Sequence, residues 1–242
     1  AYAIKGGSLN LSGNRVSLGD GVMVDVSGGA WMGTNGKVTA GDAGSISLAS
    51  KSGLNTLDTA LTLGQGVELA GYGLKSGGKL TLAGRNVWIG LDADAARSAQ
   101  AAGDLTLSLE FLKQGGFAAV SLTANGNLTV MPGTQLTLSP DQWQLPLDAV
   151  QTASSAMGAV ASVAELPLVG GSGVTVRPGS SLSLRASSAN LSDAEQTLGR
   201  VHVGAGALLA LDPGADASKP SVLNVSATNG VTVDGRLQVP AG

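Results

Sequence analysis

The chain contains no cysteine and has few aromatic residues. Its 242 residues include three tryptophans, two tyrosines, two phenylalanines and a single histidine. The lack of cysteine excludes disulfides, thiolate metal ligands and a cysteine nucleophile. A single histidine also excludes the usual zinc sites, which draw on several histidine or cysteine ligands. No catalytic, metal or cofactor site is therefore predicted from these residue types.

Charge is also scarce in this sequence. Charged residues make up 13% of the chain, and its formal net charge is -3. The lysines and arginines are scattered singly and form no basic stripe. Binding to nucleic acid depends mainly on clustered positive charge. Nucleic acid is therefore not an expected partner.

Long hydrophobic runs are missing as well. The most apolar stretch, Ala149 to Val169, contains Gln151, Glu165 and Pro167, and its apolar residues fall on one face. A membrane-spanning helix needs about 20 predominantly apolar residues, so no span is predicted. The sequence also lacks an initiator methionine and a signal peptide, and we expect it to begin inside a longer polypeptide.

The dominant positive feature is a triplet of an apolar, a polar and an apolar residue, which recurs along the whole chain. Successive side chains of a strand point to opposite faces, so each triplet places two aliphatic residues on one side. The pattern predicts short strands with one buried and one wet face. The triplets are Leu9–Leu11, Val16–Leu18, Val24–Val26, Ile46–Leu48, Leu61–Leu63, Val67–Leu69, Leu80–Leu82, Val87–Ile89, Leu105–Leu107, Val120–Leu122, Leu128–Val130, Leu136–Leu138, Val174–Val176, Leu182–Leu184, Val201–Val203, Leu223–Val225, Val231–Val233 and Leu237–Val239.

Many neighbouring triplets are so close that only a short strand and a corner fit between them. Such strands cannot stand alone, but a chain that turns the same way at each corner stacks every strand on the previous coil. Glycine-rich corners, such as Gly19-Asp20-Gly21 and Pro132-Gly133, support this arrangement. The sequence thus predicts an all-β parallel β-helix with about three strands per coil. The alternative is an antiparallel β-sandwich or barrel, which usually has longer strands and more aromatic residues.

Three segments interrupt the triplets and predict insertions in a single domain over residues 1–242. Residues 92–103 carry start and stop signals of a short helix. Residues 140–171 form the largest insertion, in which Val150, Met157, Ala161 and Ala164 recur at helical spacing. Residues 186–199 contain Ser192-Asp193-Ala194-Glu195, a helix-start pattern. The largest insertion either contacts a receptor or covers a sheet face.

Catalysis on a β-helix is the main enzymatic alternative, because that scaffold also carries enzymes that cleave polysaccharides. Such a site needs carboxylates that converge on one face. Asp92 and Asp94, followed by Arg97, are better suited to a helix N-terminus. The remaining candidate carboxylates each adjoin a glycine, as turn-forming residues do. These are Asp20, Asp42 and Asp234.

Several other polar and aromatic residues have two interpretations. His202 is expected to be a solvated strand residue. Trp31, Trp88 and Trp143 are candidates for stacking on sugar rings, and Trp88 is the best placed because it occupies an outward position. Four sites match the glycosylation pattern Asn-x-Ser/Thr, for which coincidence is the default explanation. They begin at Asn10, Asn127, Asn190 and Asn224.

Taken together, these motifs resemble the filamentous haemagglutinin-like exoproteins of Gram-negative bacteria. The resemblance is carried by the glycine-rich triplets, by Gly19 to Gly29, by Gly41 to Leu48 and by Gly115 to Val130, and it covers nearly the whole chain. It implies a secreted, right-handed β-helical shaft at the bacterial surface, exported by the two-partner route through a dedicated outer-membrane transporter. The chain lacks the NPNG-type element of the family's secretion domain, so an internal stretch of shaft is expected.

The resemblance implies a non-catalytic role in adhesion, either as the adhesive face or as the projecting shaft. Expected partners are the secretion transporter during export and, at the surface, host-cell receptors, matrix proteins or glycans. The alternatives are a polysaccharide-cleaving enzyme and the stalk of a contact-dependent toxin delivery protein. The motifs specify architecture better than they specify a ligand.

Overall fold

A computed structural model describes residues 5–32, 38–51, 58–144, 164–166, 178–189, 191–214, 216 and 218–240. Over these ranges the protein is mostly β and its main sheets are parallel, which confirms the predicted all-β class. The strands are β1 (Ser8–Gly13), β2 (Arg15–Leu18), β3 (Met23–Asp25), β4 (Ala30–Met32), β5 (Val38–Ala40), β6 (Ser45–Ser50), β7 (Ala60–Leu63), β8 (Glu68–Ala70), β9 (Gly78–Gly84), β10 (Val87–Ile89), β11 (Leu105–Leu107), β12 (Phe117–Ala124), β13 (Leu128–Val130), β14 (Gln135–Leu138), β15 (Gln142–Gln144), β16 (Ala164–Leu166), β17 (Ser181–Ala186), β18 (Arg200–Val203), β19 (Leu208–Leu211), β20 (Val222–Ala227), β21 (Gly230–Val233) and β22 (Arg236–Gln238).

Helical structure in the described ranges is brief. It consists of α1 (Ala93–Ala101), α2 (Leu109–Lys113) and one 3-10 turn (Asp193–Glu195). None of the helices in the described ranges is long and apolar enough to cross a bilayer.

The strands form parallel sheets in which strands that follow one another in the chain are not paired, with the exception of β10 and β11. The largest sheet has six strands in the order β1, β6, β9, β12, β17, β20, and a second has five in the order β11, β10, β13, β18, β21. A third has the order β14, β19, β22, and two further pairs join β2 to β7 and β3 to β8. Adjacent strands in all of these sheets run in the same direction, which argues against the antiparallel sandwich.

The register of the six-stranded sheet stacks the aliphatic residues of the triplets directly on one another. One column begins at Leu9 and another at Leu11, and their inner members are almost fully buried. Leu48, Leu82 and Leu122 have no exposed surface at all. Because every second residue of each strand is aliphatic, parallel in-register pairing builds a continuous hydrophobic core. The columns are Leu9, Ile46, Leu80, Val120, Leu182, Leu223 and Leu11, Leu48, Leu82, Leu122, Leu184, Val225.

The predicted triplets locate the strands well. Every triplet that lies within the described residues overlaps a strand, whereas Val174–Val176 lies outside them. The middle residues form outward rows on the sheets, and in the largest sheet these are all hydroxyl or amide side chains. That row is Asn10, Ser47, Thr81, Ser121, Ser183 and Asn224.

Glycine corners also behave as predicted, both after the paired strands β2 and β7 and after β13 and β18 of the five-stranded sheet. Gly21 and Gly133 have φ values of 67° and 73°, in the left-handed region that favours glycine. Gly66 and Gly206 have φ values of 67° and 70° at the corresponding corners of neighbouring strands. The backbone N–H of Gly21 donates to the carbonyl of Gln65 at 2.8 Å, so successive corners are stacked like the strands.

The predicted insertions have mixed outcomes. Helix α1 confirms the helix within residues 92–103, and the 3-10 turn confirms a helical start at Ser192-Asp193-Ala194-Glu195. In the 140–171 segment, the two described ends form an antiparallel pair, β15 with β16. Ala164 lies in β16, so assigning it to a helical stripe was wrong; Val150, Met157 and Ala161 lie outside the described residues.

Helix α1 and helix α2 together modify the regular stacking. Strands β10 and β11 are parallel neighbours in one sheet, and α1 connects them. Helix α2 follows β11 and packs near β14, on the side of the molecule that carries β3, β8, β14, β19 and β22. The backbone N–H of Gly71, just after β8, donates to the carbonyl of Gly115, just after α2, at 2.7 Å. Helix α2 thus occupies the place between β8 and β14 where another strand is expected.

Substitution in an aliphatic column tests this packing. We expect Leu122→Ala to lower the free energy of unfolding by about 2–5 kcal/mol, because it leaves a cavity in the middle of a column. The measurement is urea denaturation followed by circular dichroism.

The matched control is Leu11→Ala, the same change at the outer end of the same column. Leu11 is already 36% exposed, so we expect a loss of about 1 kcal/mol or less. Equal losses in the two variants would show that the column is not a buried core.

Candidate functional site

The candidate site is a groove between the two helices and the neighbouring strand corner. It has a volume of about 480 Å³, and its walls come from α1, α2, the end of β11 and the corner that follows β7. Leu63, Val67 and Phe111 are half-buried and supply an apolar floor, while Gln100 and Gln114 are exposed at the rim. An apolar concavity with a few amide groups has the general character of a ligand site. We call these surfaces the helical groove.

Local sequence explains why α1 forms and where it ends. The carboxylate of Asp92 accepts hydrogen bonds from the backbone N–H groups of Asp94 at 3.1 Å and Ala95 at 2.9 Å, as an N-cap does. After the last turn, Gly103 has a φ of +89°, a backbone conformation that residues with a side chain rarely adopt, and the helix ends there. The amide of Gln100 donates to the hydroxyl of Thr106 at 2.7 Å and ties the helix to β11.

The carboxylates of this segment serve the helix, as predicted. Asp92 is the N-cap, and Asp94 forms an exposed ion pair with Arg97 at 2.8 Å. The two acidic side chains therefore lie on a helix end, and they do not converge on a sheet face as a glycosidase pair does.

Helix α2 forms the opposite wall of the groove and was not predicted. The hydroxyl of Ser108 accepts from the backbone N–H of Phe111 at 3.1 Å, and Leu112 is buried beneath the helix. The signals were present: a serine cap, Glu110 in the first turn, Lys113 in the last turn and a glycine pair after it. These signals were overlooked because the helix is only about one and a half turns long and lies between two predicted strands.

Asp104 is the acidic residue that sequence reasoning missed. Its side chain is nearly buried beside the groove and accepts from the indole N–H of Trp88 at 3.0 Å and the amide of Asn86 at 2.9 Å. The guanidinium of Arg85 lies 3.5 Å from the same carboxylate. Asn86 in turn accepts from the backbone N–H of Asn127 at 2.9 Å. These groups form a polar cluster that links the start of β11 to β10 and β13.

The three tryptophans have different environments. Trp88 occupies the outward position predicted for it, but it is half-buried and its N–H is engaged by Asp104. Trp143 stacks on Tyr72 with ring centroids 5.7 Å apart and planes only 6° apart. Trp31 lies on β4 and is 44% exposed. Trp31 is therefore the tryptophan with the most accessible ring, in contrast to the prediction that favoured Trp88.

His202 lies on the outward face of β18, as predicted. Its Nε2 is 3.0 Å from a carboxylate oxygen of Asp234, and both side chains are about half exposed. No group of three or more metal-ligating side chains is found in the part of the chain that the structure describes. The pair is a surface contact between strand β18 and the residue that follows its neighbour β21.

The other acidic residues next to glycines are engaged in turns. Asp20 accepts from the backbone N–H of Gln65 at 2.8 Å, and Asp42 accepts from the hydroxyl of Ser76 at 2.9 Å. Near the end of the chain, the hydroxyl and the backbone N–H of Ser218 lower the pKa of Asp216. Asp20 and Asp42 hold neighbouring turns together and are turn residues, as the sequence predicted, whereas Asp216 bonds within its own turn.

The asparagines of the four glycosylation-type sites have different environments. Asn10 and Asn224 are exposed on the two outermost strands of the six-stranded sheet. The side-chain oxygen of Asn127 accepts from the backbone N–H of Arg200 at 3.1 Å, so this residue has a structural role. Asn190 lies outside the described residues.

The polar cluster around Asp104 can be tested by removing its carboxylate. We expect Asp104→Ala to lower the free energy of unfolding by about 1–3 kcal/mol, because the partly buried donors of Trp88 and Asn86 lose their buried acceptor. Urea denaturation measures the loss. In a background with Trp31→Phe and Trp143→Phe, the fluorescence emission comes from Trp88 and reports the change at its indole.

Asp94→Ala is the control, because it removes a carboxylate from an exposed ion pair that contributes about 0–1 kcal/mol. A loss for Asp104→Ala no greater than that of the control would contradict a structural role for the cluster.

Comparison with known proteins gives no independent assignment. The chain matches no family model, no curated protein and no solved structure. The resemblance to filamentous haemagglutinin-like exoproteins therefore remains a prediction from the residues.

Proposed function

We propose that this chain is a non-catalytic shaft segment of a large secreted bacterial surface exoprotein, and that it winds as a right-handed parallel β-helix. The proposal rests on one observation: parallel strands pair in register in three separate sets of strands. Strands β1, β2 and β3 occur in sequence, and β6, β7 and β8 pair with them in the same order.

The order of pairing supports a coil. The chain visits three different sheets and then returns beside the strand from which it started, one position further along. Strands β17, β18 and β19 repeat this relation with β20, β21 and β22. Crossover connections between parallel strands of one sheet are right-handed in about 98% of cases, which supports the hand of the coil.

A rigid rod follows from this arrangement. Strands are about 4.8 Å apart, so the six-stranded sheet extends about 24 Å along its stacking direction. The strands are joined by backbone hydrogen bonds, and their aliphatic columns are buried on the inner face. Neighbouring coils support each other, as in other solenoid proteins. Such a segment suits projection of a functional part away from a cell surface.

Features of the sequence fit export and a surface location. The chain has no cysteine, so it forms no disulfide that would hinder translocation in an unfolded state. Each coil contacts mainly its neighbours, so folding can proceed coil by coil as the chain emerges. We propose that a two-partner secretion transporter is the partner during export.

The carboxylates considered as catalytic candidates have structural hydrogen-bond partners, which supports a non-catalytic function. Asp92 caps a helix, whereas Asp20 and Asp42 accept hydrogen bonds from neighbouring turns. The outward rows of serine, threonine and asparagine, together with the helical groove, offer surfaces for host glycans or matrix proteins. The adhesive face and the passive shaft are therefore two forms of one proposal.

A binding experiment separates these two forms. The purified chain is applied to arrays of glycans and host proteins, beside a groove variant that combines Phe111→Ala with Gln114→Ala. An adhesive groove predicts saturable binding by the chain and a loss of about tenfold or more in the variant. The matched control combines Thr62→Ala with Thr137→Ala at exposed outward positions.

The control is expected to bind like the unchanged protein. Absence of saturable binding would favour a passive shaft, and a fall in the viscosity of polygalacturonate or a related glycan on incubation would contradict a non-catalytic role.

A further inference from the structure

A second cleft lies between β8 and α2, next to the helical groove. It has a volume of about 340 Å³ and borders the helical groove at Val67 and Phe111, which line both. Its floor consists of the buried side chains of Leu69, Leu80 and Phe117. We call this concavity the β8 cleft.

The β8 cleft gathers the aromatic residues of a chain that has few of them. Of the three tryptophans, two tyrosines and two phenylalanines in the sequence, Tyr72, Phe111 and Phe117 line the cleft. Trp143 stacks on Tyr72 behind it. Aromatic rings supply large apolar surfaces for contact with a bound group. The cleft is therefore suited to hold an apolar side chain.

The cleft lies where the stacking of strands is interrupted. In the six-stranded sheet, β9 lies between β6 and β12 and pairs with both. On the side that carries β8 and β14, the described residues place α2 between these two strands and no strand. Strand β8 is therefore an edge strand in the middle of the molecule. Its free edge does not depend on where the chain begins or ends.

Strand β3 shows how such an edge is filled elsewhere on this side. The carbonyl of Val22 accepts from the N–H of Glu68 at 2.9 Å, and the N–H of Val26 donates to the carbonyl of Ala70 at 2.8 Å. Between these two bonds, Val24 pairs in register with β8. The edge of β3 that faces β8 is therefore paired along its whole length.

The corresponding edge of β8 is filled at one end only. The N–H of Gly71 donates to the carbonyl of Gly115 at 2.7 Å, and the backbone of Gly115 also lies against the carbonyl of Leu69. Within the described residues, no hydrogen bond reaches the carbonyl of Val67 or the N–H of Leu69. An unpaired acceptor and an unpaired donor thus remain side by side on the strand. Such an edge can be completed by another strand.

Side chains around the edge specify what such a strand would contain. The outward residues Asp25 of β3 and Glu68 of β8 are exposed, and neither strand carries a cation. A residue placed beside Glu68 is therefore best basic, because opposite charges at cross-strand positions are favourable. The next residue points inward towards Leu69 and Phe117 and is best aliphatic. The third lies close to Gly115 and is best small.

We propose that the β8 cleft binds an extended peptide of a partner protein as an added parallel strand. A lysine or arginine of the peptide lies beside Glu68, donates its backbone N–H to the carbonyl of Val67 and accepts from the N–H of Leu69. The following aliphatic side chain fills the cleft. Main-chain pairing supplies affinity and the side-chain positions supply selectivity, as in other cases of strand addition. The proposal requires neither the shaft function nor a ligand in the helical groove.

Backbone methylation of a synthetic peptide tests the pairing. The probe is a fluorescently labelled peptide with the sequence Ser-Lys-Leu-Ala-Thr, and fluorescence anisotropy measures its binding to the whole chain. N-methylation of the lysine removes the N–H that pairs with Val67, and we expect binding at least about tenfold weaker. The matched control is N-methylation of the leucine, whose N–H points away from β8. It is expected to bind within about threefold of the parent peptide.

Charge reversal on the protein tests the orientation of the peptide. We expect Glu68→Lys to weaken binding of the probe at least about fivefold and to favour a peptide with glutamate in place of lysine. The control is Asp94→Lys, which reverses an exposed charge on α1 and is expected to leave binding unchanged. Glu68 is not among the residues that line the helical groove, so this result is independent of binding there.

Hydrogen exchange followed by NMR locates the bound peptide without any variant. We expect saturating peptide to slow exchange of the Leu69 amide at least about tenfold, whereas the amide of Leu122, on a strand paired on both sides, stays as slow as before. Three results would each overturn the proposal. These are equal binding by the two methylated peptides, unchanged exchange at Leu69, and no saturable binding of either the lysine peptide or its arginine counterpart up to about 1 mM.

Discussion

The structure depends on parallel, in-register stacking of short aliphatic strands. None of the described strands is long enough to be stable alone, and strands such as β10 and β13 contain only three residues each. Each gains stability from the neighbour on either side, through backbone hydrogen bonds and through aliphatic side chains that touch in a column. The same constraint fits the composition, because leucine, valine and isoleucine fill the stacked columns of the described strands.

Strand positions could be predicted from the sequence because the signal is local. A triplet such as Leu80-Thr81-Leu82 fixes which two side chains are buried whatever strand lies next to it, and a glycine corner such as Gly19-Asp20-Gly21 marks where the chain turns. The cap of α1 was predictable for the same reason, since Asp92 acts on backbone groups two and three residues away.

The choice of neighbours could not be predicted with the same success. Leu105-Thr106-Leu107 looks like the start of another coil, yet β11 pairs with β10 on the side opposite β13. Aliphatic triplets stack on one another almost interchangeably, so the partner is decided by the connecting segments and their packing. Asp104 was missed for a related reason: its partners Trp88 and Asn86 lie 16 and 18 residues away, and only the pairing of β10 with β11 brings them together.

The molecule has a mechanical asymmetry, because its sets of strands are not all joined along their whole length. The six strands from β1 to β20 form one continuous sheet that is tied by rows of peptide hydrogen bonds. In contrast, the pairs β2–β7 and β3–β8 are separate from the five-stranded and three-stranded sheets. Between β8 and β14 the described residues contain α2, and Gly71 donates to Gly115 there. Bending that pulls the six-stranded sheet apart therefore meets more resistance than bending that opens the two interrupted sides. In the proposed shaft, such segments would give the rod a preferred direction of flexing, set by where a short helix replaces a strand.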